Sequence, residues 1–302
     1  MIDIIGKKWW YLIFSAVVII PGLISLIIWG IRPAIDFTGG TLLEYQFLKK
    51  ESKIENDDLR KILEKDKLEV GSIQKSGENT FLIRLKSLDK DKSQKLFSDL
   101  TETYGEVKQI RSETVGPLIG KETSQNALKA VVVASIAIII YVALAFRHIP
   151  KPYSSWRFGF CAVLALIHDI LVVLGIFSIL GHFYKVEVDS LIITALLTVM
   201  GFSVHDSIVV FDRIRENLIH LTGKDFSQIV NESVVQTLAR SLSTSMTVIL
   251  TLVALLLFGG ESTRWFIAAL LIGITSGTYS SIFNAAPLLV IWEDWSLKKK
   301  KL

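Results

Sequence analysis

Two carboxylates stand inside long apolar runs of this chain: Asp169 in LALIHDILVVLG (164–175) and Asp206 in VMGFSVHDSIVVF (199–211). Each follows a histidine, as His168-Asp169 and His205-Asp206. A charged group at hydrocarbon depth costs about 2.5–3.5 kcal/mol on insertion scales, so such an acid either does proton chemistry or glues helices by hydrogen bonds. Arg240, Thr244, Thr247 and Thr251 follow at i, i+4, i+7 and i+11, which places a guanidinium and three hydroxyls on one helical face. At 1.5 Å per residue that stripe is about 16 Å long. Headed by an arginine, it reads as a hydrated path, along which Asp206 alternates between a protonated state and a salt bridge with Arg240. A membrane potential contributes about 2.3 kcal/mol per charge per 100 mV, enough to bias such a switch.

His205 shares a face with Thr194, Thr198 and Gly201 and is expected to point inward, about 100° round the helix from Asp206. A proton relay and a packing histidine both remain open for it. His148, His182 and His220 fall at span ends or in loops. Neither a nucleophile–base pair nor a compact ligand motif such as H-x-x-x-H occurs, so no enzyme activity, cofactor or metal is expected. The single Cys161 lies in an apolar run and carries no redox argument.

The elements that must position these groups follow from the charge distribution. The chain has 302 residues, 51% of them hydrophobic, with a net charge of +4. Its mean hydropathy is +0.48, too apolar for a soluble domain. Residues 31–127 hold 17 basic and 17 acidic side chains, so the whole excess belongs to the apolar remainder. Six stretches reach the length of a bilayer span, near 10–30, 128–146, 158–180, 189–211, 241–259 and 265–290. The first exceeds a signal-peptide core and lacks a small-x-small cleavage site, which makes it an uncleaved span that Pro21-Gly22 kinks. Thirteen basic residues, including Lys7, Lys8, Arg147, Lys151, Arg157, Arg213, Arg215, Lys224, Arg240 and Lys298 to Lys301, fall on one side. Both termini are therefore expected in the cytoplasm and residues 31–127 outside it. The lysine tail reads as an anchor on anionic lipid rather than a nucleic-acid patch. The pair Gly273 and Gly277, with Ser276, Ser280 and Asn284 on an adjacent face, reads as close helix packing.

Within 31–127, TLLEYQF (41–47) alternates as a strand, and 54–68 reads as a helix with Leu59, Ile62 and Leu63 on one face. EVGSIQKS (69–76) and NTFLIRLK (79–86) form a hairpin around Gly77. A second helix over 91–104 turns Leu96, Phe97 and Leu100 inward, and 106–115 is a last strand. The order βαββαβ is the ferredoxin-like pattern, so the expected fold is six transmembrane helices with this α+β domain inserted after the first. The domains are 1–30, 31–127 and a five-helix membrane domain over 128–302. A balanced charge and no histidine give the insertion no nucleic-acid or catalytic signature.

GFSVHDSIVVFDRIREN (201–217) resembles the fourth-span signature of the SecD/SecF family, in its SecF branch. IDFTGGT (35–41), VGPLIGKE (115–122), HDILVVLGIF (168–177) and QTLARSLSTSMT (236–247) resemble further motifs of that family, in its order along the chain. The matching positions are Asp36, Gly39, Gly40, Gly116, Pro117, Asp212, Arg213, Arg215, Glu216 and Asn217. The resemblance implies one six-span half of an assembly of the RND superfamily, with SecD as the other half. It implies an accessory role in late export of unfolded preproteins through the SecYEG translocon, driven by the proton-motive force across the cytoplasmic membrane. YajC and YidC are further partners it suggests. The family's proton-coupling positions fall on Asp206 and Arg240, with Asp169 and His205 as further candidates. Where the family more often has asparagine, this chain has His205, an added titratable group. The run Asp212 to Glu216 is either part of the coupling or an exposed, self-paired helix end. Two other readings stay open: half of an RND-type exporter, and a non-conducting structural subunit of the translocon.

Overall fold

A computed structural model describes residues 2–48, 54–65, 68–77, 79–86, 88–147, 149–150, 153–221, 223–260 and 263–300. His148, Lys151 and Lys301 lie outside the described residues. The chain divides into two compact units, Met1–Arg32 with Lys129–Leu302, and Pro33–Leu128.

In the smaller unit, α2 (Ile35–Thr38) leads into β1 (Gly40–Phe47), then α3 (Asn56–Lys65), β2 (Val70–Gly77), β3 (Thr80–Leu85), α4 (Lys90–Tyr104) and β4 (Val107–Val115). The four strands form an antiparallel sheet in the order β2-β3-β1-β4, with Leu43 opposite Ile83 on one side and Ser112 on the other. Period-two alternation puts Leu43, Tyr45 and Phe47 on the same buried face as Phe81, Ile83 and Leu85. Leu59 and Leu63 from α3, with Leu96 and Leu100 from α4, complete that core.

The larger unit is helical. Its elements are α1 (Lys8–Ile28), the later part of α5 (Pro117–Ala145), α6 (Ser155–Phe183), α7 (Ser190–His220), α8 (Phe226–Phe258) and α9 (Arg264–Ser280). One π-helical turn, Ser281–Ala285, joins α9 to α10 (Ala286–Lys300). Six of these segments are long and apolar enough to cross a membrane. The α6, α7 and α9–α10 segments are the most buried, while α1, α5 and α8 rim them. The helices outrun the apolar stretches: α7 continues past 211 to His220, and α8 starts at Phe226, well before 241. Hydropathy marks where hydrocarbon can sit, whereas helix ends are set by backbone capping; Asp189 caps α7 by accepting from the Ile192 amide at 2.9 Å.

Lipid offers helices no hydrophobic reason to associate, so close backbone approach and polar bonds must hold them. At Gly22 a Cβ would lie 2.9 Å from the Gly175 Cα, so α1 and α6 cross backbone to backbone there. One turn on, the hydroxyls of Ser25 and Ser178 are 2.7 Å apart. Pro21 and Gly22 both lie inside the continuous helix α1, and the glycine serves as a crossing point.

Candidate functional site

Asp169 ties three helices together. It is 0% exposed, and its Oδ2 accepts from Ser203 Oγ of α7 at 2.6 Å and Ser280 Oγ of α9 at 2.7 Å. Its Oδ1 accepts from Ser276 Oγ at 2.7 Å and lies 3.0 Å from Nδ1 of its neighbour His168. Gly277, between the two serines, lets α9 reach this depth, since a Cβ there would touch Ser203 at 3.1 Å. Packing alone therefore does not account for Ser276 and Ser280: their hydroxyls saturate a buried carboxylate. The third polar residue of that series, Asn284, sits in the π turn and accepts from Ser15 Oγ of α1 at 2.9 Å.

Asp206 sits differently. It is 2% exposed, and among the described residues its hydrogen-bond donor is Ser245 Oγ of α8, at a long 3.3 Å. Thr278 Oγ1 of α9 lies 2.7 Å from the same Ser245 oxygen. A carboxylate held by one weak donor keeps most of its acceptor sites open, whereas Asp169 has spent its own on three serines.

The other candidates face away from this pair. Arg240, Thr244, Thr247 and Thr251 do share one face of α8, but that face is exposed on this chain. The threonine hydroxyls donate back to carbonyls of their own helix, at 2.7–3.0 Å. No ion pair joins Asp206 and Arg240 among the described residues. His205 is likewise exposed, with Thr194, Thr198 and Gly201, and does not point into the body as expected. Spacing reports which residues share a face; in lipid, polarity does not report which face the neighbouring helices cover. The buried face of α8 instead carries Ser233, Thr237, Ser241 and Ser245.

The family motifs divide between the units. In the smaller one, Asp36 lies in α2, and Gly39 follows with φ +72°, a conformation that favours glycine. A Cβ on Gly39 would lie 2.8 Å from the Pro117 Cα, and one on Gly120 would lie 2.7 Å from the Gly39 amide nitrogen. The Gly39-Gly40 turn thus packs on the Gly116-Pro117 start of α5, and two motifs distant in sequence form one joint. In the larger unit, Arg213 pairs with Glu216 and Arg215 with Asp212, each at 2.6 Å on the outer part of α7. Asn217 is buried and donates to Ser233 Oγ at 2.8 Å and Gln236 Oε1 at 3.0 Å, pinning α7 to α8.

Two polar anchors carry no motif signal. Glu293 of α10 is buried and pairs with Arg157 of α6, which also donates to Ser296 Oγ at 2.8 Å. Asn231 Oδ1 accepts the amides of Ile4 and Ile5 at 2.8 and 3.1 Å, clasping the start of the chain against α8.

Comparison with known proteins agrees with this architecture. The family described as protein export membrane protein SecD/SecF, C-terminal, matches residues 95–295, and the SecD/SecF GG motif matches 24–47. The protein translocase subunit SecF of Thermobaculum terrenum is 45% identical over 306 residues, covering 97% of this chain and 95% of that protein. The protein translocase subunit SecDF of Bacillus subtilis is 35% identical over 98% of this chain, which spans 39% of that longer protein. The crystal structure of SecDF from Thermus thermophilus, titled a translocon-associated membrane protein, aligns with a TM-score of 0.85 at 35% identity, over 97% of this chain and 39% of that one. A match across most of the chain, and relatives this similar over nearly its full length, show that the chain is a multi-pass membrane protein of the SecD/SecF family.

Proposed function

We propose that the chain is a proton-coupled accessory subunit of the Sec protein-export machinery. In this reading it works as one half of an RND-type pair with SecD, drawing on the proton-motive force to assist late translocation and release of unfolded preproteins through SecYEG. The observation that carries the proposal is the contrast between two buried acids. Asp169 is saturated by hydroxyls of its own chain, while Asp206 holds one long bond and keeps sites open for an exchanging proton.

The exposed polar face of α7 and α8, with His205, Arg240 and Thr244 at its middle, suits a helical partner better than lipid. SecD is the partner we assign to it, because longer relatives carry both names in one chain. Arg240 then meets its counter-charge at that interface rather than at Asp206 in the isolated chain. The basic-residue asymmetry supports placement in the cytoplasmic membrane with both termini inside. We read the β2-β3-β1-β4 sheet with α3 and α4 as a ferredoxin-like domain outside the membrane, where it would meet emerging preprotein. YajC and YidC belong to the same proposal as further partners. The reaction needs no cofactor in this account, and the chain works as a transport subunit rather than an enzyme.

The test is preprotein release by the assembled translocase, with this chain supplied or omitted, with and without an imposed proton gradient. Release that quickens with the gradient only when the chain is present supports the reading. Release that the chain improves equally without a gradient makes it a scaffold.

A further inference from the structure

The buried face of α8 carries four hydroxyls, Ser233, Thr237, Ser241 and Ser245, each four residues from the next. That spacing stacks them along one side of the helix, over about 18 Å from first to last at 1.5 Å per residue. The row starts at Asp206, whose Oδ2 accepts from Ser245 Oγ at 3.3 Å. It ends where Asn217 Nδ2 donates to Ser233 Oγ at 2.8 Å, beside the Arg213–Glu216 pair that opens toward the α7–α8 turn. These two bonds fix the register of the antiparallel helices. By it, Ser241 falls about one turn from Asp206 toward the α7–α8 turn, nearest the level of Val210.

A stripe of small hydroxyls by itself is packing. Here a second observation separates it from packing: Ser241 Oγ, within the row, has no hydrogen-bond partner among the described residues, although Ser241 is 2% exposed. Buried hydroxyls in native proteins are satisfied by protein or by ordered water, and a water needs two to four polar partners to stay. Side chains four apart on a helix are about 5–6 Å apart at Cβ. One water with two hydrogen bonds of about 2.8 Å closes such a gap. Thr237 already donates to the Ser233 and Val234 carbonyls, which leaves its oxygen as an acceptor.

We propose that Ser245, Ser241, Thr237 and Ser233 form a hydroxyl–water row that carries protons between Asp206 and the α7–α8 turn. The inference rests on the proton-coupling reading of Asp206 and adds its route, through the α7–α8 seam of this one chain and not along the Arg240–Thr244–Thr247–Thr251 face. Each hop breaks one O–H bond as the next forms across a bridging water, because Ser233 and Thr237 donate to carbonyls of their own helix rather than to each other. The row regains its composition when the following proton arrives, and the Asp206 carboxyl is the terminal donor or acceptor. No other reactant is consumed.

The experiment is proton flux into vesicles that hold the full chain together with SecD and a pH-sensitive dye, under an imposed proton gradient. The quantity read is the flux in excess of Asp206→Asn. Ser241→Val fills the water position, and Thr237→Val replaces a hydroxyl by a methyl of the same shape. Each is expected to lower the excess flux by about tenfold or more with an unchanged unfolding temperature, whereas Ser241→Ala, which leaves room for water, stays within about threefold. Wild-type flux in Thr237→Val overturns the row even if Ser241→Val fails to fold. If the wild-type chain passes no more protons than Asp206→Asn, the coupling reading itself fails, a different result from loss of the row alone.

Discussion

Asp206 of α7 and Ser245 of α8, 39 residues apart, meet through one hydrogen bond of 3.3 Å inside the helical unit. Ser245 also lies 2.7 Å from Thr278 of α9, so its hydroxyl links the acid to a third helix. Replacing Ser245 with alanine removes the donor without adding bulk. A single such bond contributes about 0.6–1.5 kcal/mol. We expect gradient-driven preprotein release to slow by about three- to tenfold in Ser245→Ala. Thermal unfolding in detergent, measured beside it, is expected to change little.

Asp169 predicts the opposite pattern. Its carboxylate collects three serine hydroxyls from α7 and α9, so its loss separates helices. Interhelical hydrogen bonds in membranes average about 0.6 kcal/mol, which makes Asp169→Ala destabilising by about 2 kcal/mol. Denaturant titration in detergent checks the value, with Asp169→Asn, which keeps one acceptor oxygen, expected near half of it.

At the joint between the two glycine motifs, Gly39 has φ +72° and a Cβ there would lie 2.8 Å from the Pro117 Cα. Gly39→Ala combines a strained backbone with a backbone clash. It is expected to cost the smaller unit about 1–3 kcal/mol, read as faster amide exchange in β1 and β4.

Glu293 is 4% exposed and pairs with Arg157. Removing one partner strands a buried charge, so Arg157→Ala is expected to destabilise by about 3–5 kcal/mol. The double replacement Arg157→Leu with Glu293→Leu is expected to recover most of that loss in the same thermal unfolding assay.

Local patterns were legible and long-range pairings were not. The alternation of Leu43, Tyr45 and Phe47, and the helical faces of Leu59 and Leu96, mark the core of the smaller unit because apolar burial in water follows period. The same logic weakens in lipid. The stripe Arg240, Thr244, Thr247 and Thr251 shares a face as its spacing says, yet that face is exposed, and Ser241 and Ser245 take the buried side. Asp169 stood out as a buried acid, but its partners Ser276 and Ser280 lie 107 and 111 residues further on. Only folding brings them together, and serines in a membrane helix otherwise read as packing. The Arg157–Glu293 pair escaped for the same reason: its members lie 136 residues apart, and Arg157 at a span end reads as an orientation signal.

If Asp206 couples proton movement to export, as we propose, the response to a proton gradient requires its titrating group. The most direct test is the rate of preprotein release by the assembled translocase at increasing proton gradient, compared between the wild-type chain and Asp206→Asn, an exchange that keeps shape but removes the titrating group. Release by the wild-type chain is expected to rise with the gradient while release by Asp206→Asn stays flat at the level without one. An Asp206→Asn chain that responds to the gradient as the wild type does would contradict the proposal.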